Sequence, residues 1–204
     1  MTHLLCLGDS ITDCGRLFDD PPLGNGYVNL LSRKLKEQNM HWNITNCGVN
    51  GFTTARLLAN AEPFYLPQKA DLVTILIGIN DIGLMMNTNR TSDQKKQMMN
   101  HTLAQYRQLL QCLSRLKCPV ILMEPFIFPC PREYQNWIPL VETLSQGILH
   151  LSEEFHFPYL LLHHYLNKEA ERLGTETLTP DGIHLNPYGH ELLADKLFWQ
   201  LMDL

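Results

Sequence analysis

Short apolar runs recur along the chain, and longer segments of mixed character separate them. The short runs lie at 3–8, 42–48, 71–78, 119–124 and 158–163. Such runs are typical of strands that are buried on both faces, so each predicts one strand.

The segments between these runs carry apolar residues at helical spacing. They lie at 26–39, 53–61, 91–117 and 133–154, and a last one covers 187–203. In the last segment Pro187 suits the first turn of a helix, and the apolar positions that follow it repeat with the period of a helix. Strand and helix are therefore predicted to alternate along the chain.

This alternation predicts an α/β fold, a three-layer sandwich around a parallel sheet of about five strands. The chain has 204 residues and shows no linker or repeat, so we expect residues 1–204 to form a single domain. Irregular stretches are expected at 9–25, 79–90, 125–132 and 173–186. All but the last follow predicted strands, and ligands of such sheets bind beyond the carboxyl ends of the strands.

Composition excludes several classes of function. The formal net charge of -5 disfavours nucleic acid as a partner, because phosphate binding needs clustered Lys and Arg. No apolar stretch reaches the roughly 20 residues that cross a bilayer, and the N-terminus lacks the pattern of a signal peptide. We therefore expect a cytoplasmic protein without a membrane partner. A homo-oligomer is an open expectation, because symmetric assemblies are common among soluble enzymes.

The six cysteines show no spacing typical of a zinc site, so we expect reduced thiols and no bound metal. Most of the nine histidines border predicted strands or lie in helical segments. For these the ordinary half-buried role is the simplest interpretation.

Ser10 follows the first predicted strand, where a nucleophile would be exposed at the end of the sheet. A serine hydroxyl attacks only when a base removes its proton and an acid orients that base. His184 and Asp181 stand three residues apart in TPDGIHLNPYGH, so one loop would supply both. The alternative is a structural loop, in which residues 179–182 form a turn and Asn186 caps the last helix.

Acyl transfer also needs hydrogen-bond donors for the oxyanion of the tetrahedral intermediate. Gly48, in NCGVNG, would present a backbone N–H, and Asn80, in GIND, would present a side-chain amide. The alternative for each is ordinary turn chemistry.

Taken together, GDS at Ser10, Gly48, GIND at Asn80 and the DxxH of Asp181 and His184 resemble the SGNH (GDSL) hydrolase superfamily over essentially the whole chain. The resemblance implies a flavodoxin-like sheet, with Ser10 as nucleophile, His184 as general base and then acid, and Asp181 holding the imidazole. It also implies an oxyanion hole made of the Ser10 and Gly48 N–H groups and the Asn80 amide, and no cofactor.

A finer resemblance rests on GDSITDCGR, LGNGYV, GINDIG, ILMEPF and DGIHLNPYGH. These blocks look like the intracellular bacterial branch that contains acetylxylan and xylooligosaccharide esterases. The resemblance implies a serine esterase for short acyl esters of carbohydrates, with acetyl as the expected group and a small acetylated oligosaccharide as the partner. Asn50 in GVNG departs from the small serine that many relatives carry there.

Asp9, Arg16, Asn50 and Phe126 are the candidate substrate contacts. The alternative for Arg16 is an ion pair that braces its loop, and the alternative for Phe126 is packing in the core. Two other functions stay open from sequence. One is a lysophospholipase or acyl thioesterase of the same superfamily, and the other is a carbohydrate-binding module without turnover.

Overall fold

The computed structural model describes residues 1–20 and 22–204, and within them five strands form one parallel sheet. The strands are β1 (His3–Gly8), β2 (Asn43–Gly48), β3 (Leu72–Leu76), β4 (Val120–Met123) and β5 (Tyr159–Leu160). Their order is β2-β1-β3-β4-β5, and every neighbouring pair is parallel. This is the flavodoxin-like order, so the predicted α/β class is confirmed.

Helices follow the strands along the chain. They are α1 (Ser10–Asp13), α2 (Tyr27–Glu37), α3 (Thr54–Asn60), α4 (Ile79–Met86), α5 (Ser92–Leu113), α6 (Ile138–Phe155), α7 (His163–Leu173), α8 (Thr175–Leu178) and α9 (Pro187–Met202). Short 3-10 turns cover Arg16–Phe18, Leu66–Gln68, Ser114–Leu116 and Arg132–Asn136, and a π turn covers Ala61–Tyr65.

The sheet is covered on both faces. Successive residues of a strand point to opposite faces, so β1 contributes to two cores. Leu5 and Leu7 pack with residues of α3, α5 and α6, whereas Leu4 and Cys6 pack with residues of α2, α7 and α9. The molecule is therefore the predicted three-layer sandwich.

The stretches that were expected to be irregular contain more helix than predicted. Stretch 79–90 contains α4, because Ile79, Ile82 and Met85 bury one helical face despite the glycines at its start and middle. Stretch 9–25 begins with α1, and 173–186 contains α8. His163 was expected at the end of a strand, but it begins α7, because β5 has only two residues.

All six cysteines are free thiols, and Cys6 is the one that is buried. No helix within residues 1–20 and 22–204 has the length and apolar character needed to cross a membrane.

Candidate active site

Ser10 is the first residue of α1, directly beyond the end of β1. The helix is held against the sheet at two glycines. A Cβ on Gly8 would overlap the side chain of Thr12, and a Cβ on Gly48 would overlap the backbone of Thr12 and of Asp13. Close packing of α1 on the ends of β1 and β2 therefore fixes the position of Ser10.

The side chains of Ser10, His184 and Asp181 form one hydrogen-bonded chain. The distance between Ser10 Oγ and His184 Nε2 is 2.9 Å, and the distance between His184 Nδ1 and Asp181 Oδ2 is 2.6 Å. A carboxylate only accepts, so Nδ1 carries the proton and Nε2 is left to accept one from the serine. This is the arrangement that activates a serine for attack.

The loop before α9 sets the position of Asp181. Its Oδ1 accepts hydrogen bonds from the backbone N–H groups of Ile183 (2.9 Å) and His184 (2.8 Å). Partial burial alone would raise the pKa of Asp181, but the bonds from the imidazole and the two N–H groups outweigh it and lower that pKa. The carboxyl therefore stays ionised and stabilises an imidazolium beside it.

Two of the three expected oxyanion donors lie at the same end of the sheet. The backbone N–H of Ser10 lies at the start of α1, where helix N–H groups have no intrahelical partner. Asn80 lies in the first turn of α4, and one hydrogen of its side-chain amide bonds the carbonyl oxygen of Phe52 at 2.9 Å. The second amide hydrogen is left to donate to an oxyanion.

The third expected donor is engaged elsewhere. The Gly48 N–H donates to Oδ1 of Asn46 at 2.8 Å, because the buried Asn46 amide must satisfy its own carbonyl oxygen. The Asn46 Nδ2 in turn donates to the backbone oxygens of Thr12 (2.7 Å) and Leu23 (2.8 Å). Sequence reasoning missed Asn46, although a polar residue in a predicted buried strand is a signal for such a network.

Arg16 and Asn50 line the same edge. Arg16 Nε donates to the Gly48 carbonyl at 2.6 Å and lies 4.0 Å from an oxygen of Asp13. The Asn50 N–H donates to Asp13 Oδ2 at 3.0 Å, and its side chain is exposed. Arg16 therefore braces the loop, as its alternative interpretation stated, whereas the Asn50 side chain faces solvent beside the site.

The other two candidate substrate contacts, Asp9 and Phe126, are buried. Each is 1% exposed. The Phe126 ring packs edge-on against Phe128 with centroids 6.0 Å apart, in the core between the sheet and its helices. Asp9 caps α1 by accepting from the Ile11 N–H at 3.1 Å. The structure thus places neither side chain at the surface, which corrects the expectation for both.

Asn186 also differs from its alternative role. It precedes α9, but its side chain makes no capping bond and donates instead to the Glu176 carbonyl at 2.6 Å. This bond ties the start of α9 to α8, so the loop that carries Asp181 and His184 is held at its exit.

Burial raises the pKa of Asp9 from 3.8 to about 7, although the hydrogen bond from the Ile11 N–H and the nearby His184 side chain oppose that shift. Between pH 3.8 and about 7, native Asp9 therefore holds a proton that the unfolded chain has released. The contribution of this proton to the free energy of unfolding is fully present below pH 3.8 and is lost as the pH rises through about 7. Asp9→Asn keeps the accepting oxygen and removes this titration. We expect its free energy of unfolding, relative to wild type, to rise between pH 4 and pH 8 by up to about 4 kcal/mol.

Urea unfolding at both pH values measures this difference, with Asp203→Asn at the exposed C-terminus as the matched control. A difference between Asp9→Asn and wild type that is the same at both pH values would contradict the assignment.

No group of three or more His, Cys, Asp or Glu side chains in the described part of the chain is arranged to hold a metal ion.

The candidate active site is open to solvent. The side chains of His184 and Asp181 are 47% and 48% exposed, so both border solvent.

Comparisons with known proteins show the family of this chain. The model of the GDSL-like Lipase/Acylhydrolase family matches residues 6–192. An acetylxylan esterase of Geobacillus stearothermophilus is 30% identical over 203 residues, which cover 94% of this chain and 90% of that protein.

Solved structures give the same result. A variant of Axe2, an acetyl xylan esterase from Geobacillus stearothermophilus, superposes with a TM-score of 0.86 at 26% identity, covering 98% of this chain and 94% of the other. A second Axe2 variant, described as an acetyl-xylooligosaccharide esterase, superposes with a TM-score of 0.82 at 26% identity and the same coverage.

Proposed function

Because the chain belongs to the GDSL-like lipase/acylhydrolase family and is a carboxylic ester hydrolase, we propose that it removes acetyl groups from carbohydrates by a Ser-His-Asp acyl-enzyme mechanism. The observation that carries the mechanism is the chain of hydrogen bonds from Ser10 through His184 to Asp181. A binding module has no need of an activated serine.

In the first half of the reaction, Nε2 of His184 takes the proton of the Ser10 hydroxyl as its oxygen attacks the acetyl carbonyl carbon. Negative charge develops on the carbonyl oxygen, where the Ser10 N–H and the Asn80 amide donate to it. The imidazolium then gives its proton to the sugar oxygen, the C–O bond to the sugar breaks, and the sugar leaves as an alcohol.

In the second half, water replaces the sugar. His184 takes a proton from water, the resulting hydroxide attacks the acetyl-serine, and the same donors hold the second oxyanion. Acetate leaves, and the proton returns to Ser10. Asp181 stabilises the imidazolium in both halves and keeps its own negative charge.

Two observations support a short acyl group on a sugar. The similar proteins from Geobacillus stearothermophilus are acetylxylan and acetyl-xylooligosaccharide esterases. The site is also open, with His184 and Asp181 about half exposed, so a long acyl chain bound beside them would stay in contact with water. Little of the roughly 0.8 kcal/mol per buried CH₂ would then be gained by a longer chain.

Rates of hydrolysis of p-nitrophenyl acetate, butyrate and octanoate, beside acetylated xylooligosaccharides, test the proposal. We expect kcat/KM to fall from acetate to octanoate and the oligosaccharides to be deacetylated. An increase toward octanoate would instead indicate a lysophospholipase or thioesterase. Binding of the oligosaccharide without release of acetate would indicate a carbohydrate-binding module.

A further inference from the structure

A groove of about 500 Å³ lies between the start of α3, helix α4 and one face of α5. It does not include Ser10 or His184. Its size lies within the range of small-molecule binding sites. The mechanism assigns it no role, although it occupies the same catalytic end of the sheet.

The groove adjoins the oxyanion side of the site. Thr53 and Asp81 are among its lining residues, and they directly follow Phe52 and Asn80 in the chain. The Phe52 carbonyl and the Asn80 side-chain amide are hydrogen-bonded to each other. Consecutive Cα atoms are about 3.8 Å apart. The groove therefore begins one residue after Asn80, whose side-chain amide is the proposed oxyanion donor.

One face of α5 forms the outer wall. Gln97, His101 and Gln105 line the groove at a spacing of four residues, which places them in a row on the same side of the helix. None of these three side chains makes a hydrogen bond within residues 1–20 and 22–204. The row therefore presents unused donors and acceptors along two turns of helix.

The groove also has apolar contact surface. Leu84 of α4 is 54% exposed, and Met98 of α5 is half-buried beside it. A pyranose ring has hydroxyls around its edge and C–H groups on its faces. Amide side chains both donate and accept, so they suit hydroxyls, while Leu84 and Met98 suit the C–H face.

The charges in the groove favour a neutral ligand over an anion or a cation. Asp81 is 5% exposed and its Oδ2 accepts from both the N–H and the hydroxyl of Thr54, so its carboxylate is already satisfied. Arg90 is the cation at the rim. One carboxylate and one guanidinium leave no net charge to select an ion.

We propose that this groove binds the sugar units of an oligosaccharide substrate that lie beyond the acetylated one. The inference rests on the proposed deacetylation of carbohydrates and adds a specificity site to it. Gln97 and His101 contact hydroxyls of the remote sugars, and the acetyl group reacts at Ser10. Longer oligosaccharides therefore bind more tightly than shorter ones.

The test compares Gln97→Ala, His101→Ala and the double variant with Gln111→Ala, an exposed residue of α5 outside the groove. Steady-state rates are measured with acetylated xylobiose, acetylated xylotetraose and p-nitrophenyl acetate, which has no sugar. Each single variant should raise the ratio of the KM for xylotetraose to that for p-nitrophenyl acetate by about fivefold, the effect of one lost hydrogen bond. The kcat for xylotetraose should stay unchanged, and Gln111→Ala should match wild type.

A double variant that keeps the wild-type KM for xylotetraose would overturn the proposal. Calorimetric titration of Ser10→Ala with unacetylated xylotetraose tests sugar binding in the groove separately from the reaction. Binding that the double variant weakens supports the groove even if wild type deacetylates no sugar ester, which would be a failure of the proposed function alone. Absence of binding, or binding that the double variant leaves unchanged, would reject the proposal that the groove binds sugar.

Discussion

Ser10→Ala is expected to lower kcat for p-nitrophenyl acetate by about a million-fold, which leaves only the small residual rate that the rest of the site supports. In the proposed mechanism the Ser10 hydroxyl oxygen forms the acyl-enzyme, and His184 Nε2 lies 2.9 Å from it. The measurement is steady-state turnover, together with covalent labelling by a fluorophosphonate.

Ser114→Ala is the matched control, because it removes a hydroxyl at the C-terminal end of α5 that bonds only the Leu110 carbonyl. It should label and turn over like wild type. Normal turnover in Ser10→Ala would show that the ester is cleaved without this nucleophile, and the acyl-enzyme mechanism would have to be abandoned. Ser10→Ala should also keep the wild-type thermal unfolding midpoint, since Ser10 is only partly buried.

Asp181→Asn is expected to lower kcat by about 10⁴-fold. The asparagine oxygen can still accept from the N–H groups of Ile183 and His184, so the loop keeps its shape. The amide nitrogen would face Nδ1 as a donor, which favours the tautomer with the proton on Nε2. That tautomer cannot take the proton of Ser10.

The pH-rate profile distinguishes this effect from simple misfolding. A histidine that holds the wrong tautomer lowers the rate at all pH values above its own titration, while the unfolding midpoint stays near that of wild type. Asp203→Asn at the exposed C-terminus should change neither property. If Asp181→Asn retained more than about a tenth of the wild-type kcat, the carboxylate would not be the group that orients His184.

The sequence was a sound guide wherever a residue's role depends on its place along the chain. Five apolar runs predicted five strands because buried parallel strands have few polar positions. The spacing of Asp181 and His184 predicted their pairing because three residues of one loop bring the side chains together. Both relations are local in the sequence, and the structure contains both the five-stranded sheet and the hydrogen bond between His184 and Asp181.

Relations between distant segments were not predictable in the same way. The Gly48 N–H was expected to face a ligand, but Asn46 accepts from it, and this bond depends on the packing of α1 and of residue 23 against β2. Phe126 was expected near a substrate, but its burial depends on which helices cover the end of β4. Helix α4 was not predicted, because the two glycines at its start and middle lower the helix propensity of its sequence. The packing of its buried face in the folded protein stabilises the helix nonetheless.

The amide of Asn46 makes three backbone hydrogen bonds, and each goes to a different segment: helix α1 at Thr12, the loop at Leu23 and the end of β2 at Gly48. None of these segments can separate from the others without leaving a buried polar group unpaired. We therefore expect the turn at Ser10–Asp13 to share the opening free energy of the central sheet instead of that of a surface loop. Its backbone amides should then exchange hydrogen as slowly as those of β1 and β2, which end beside it.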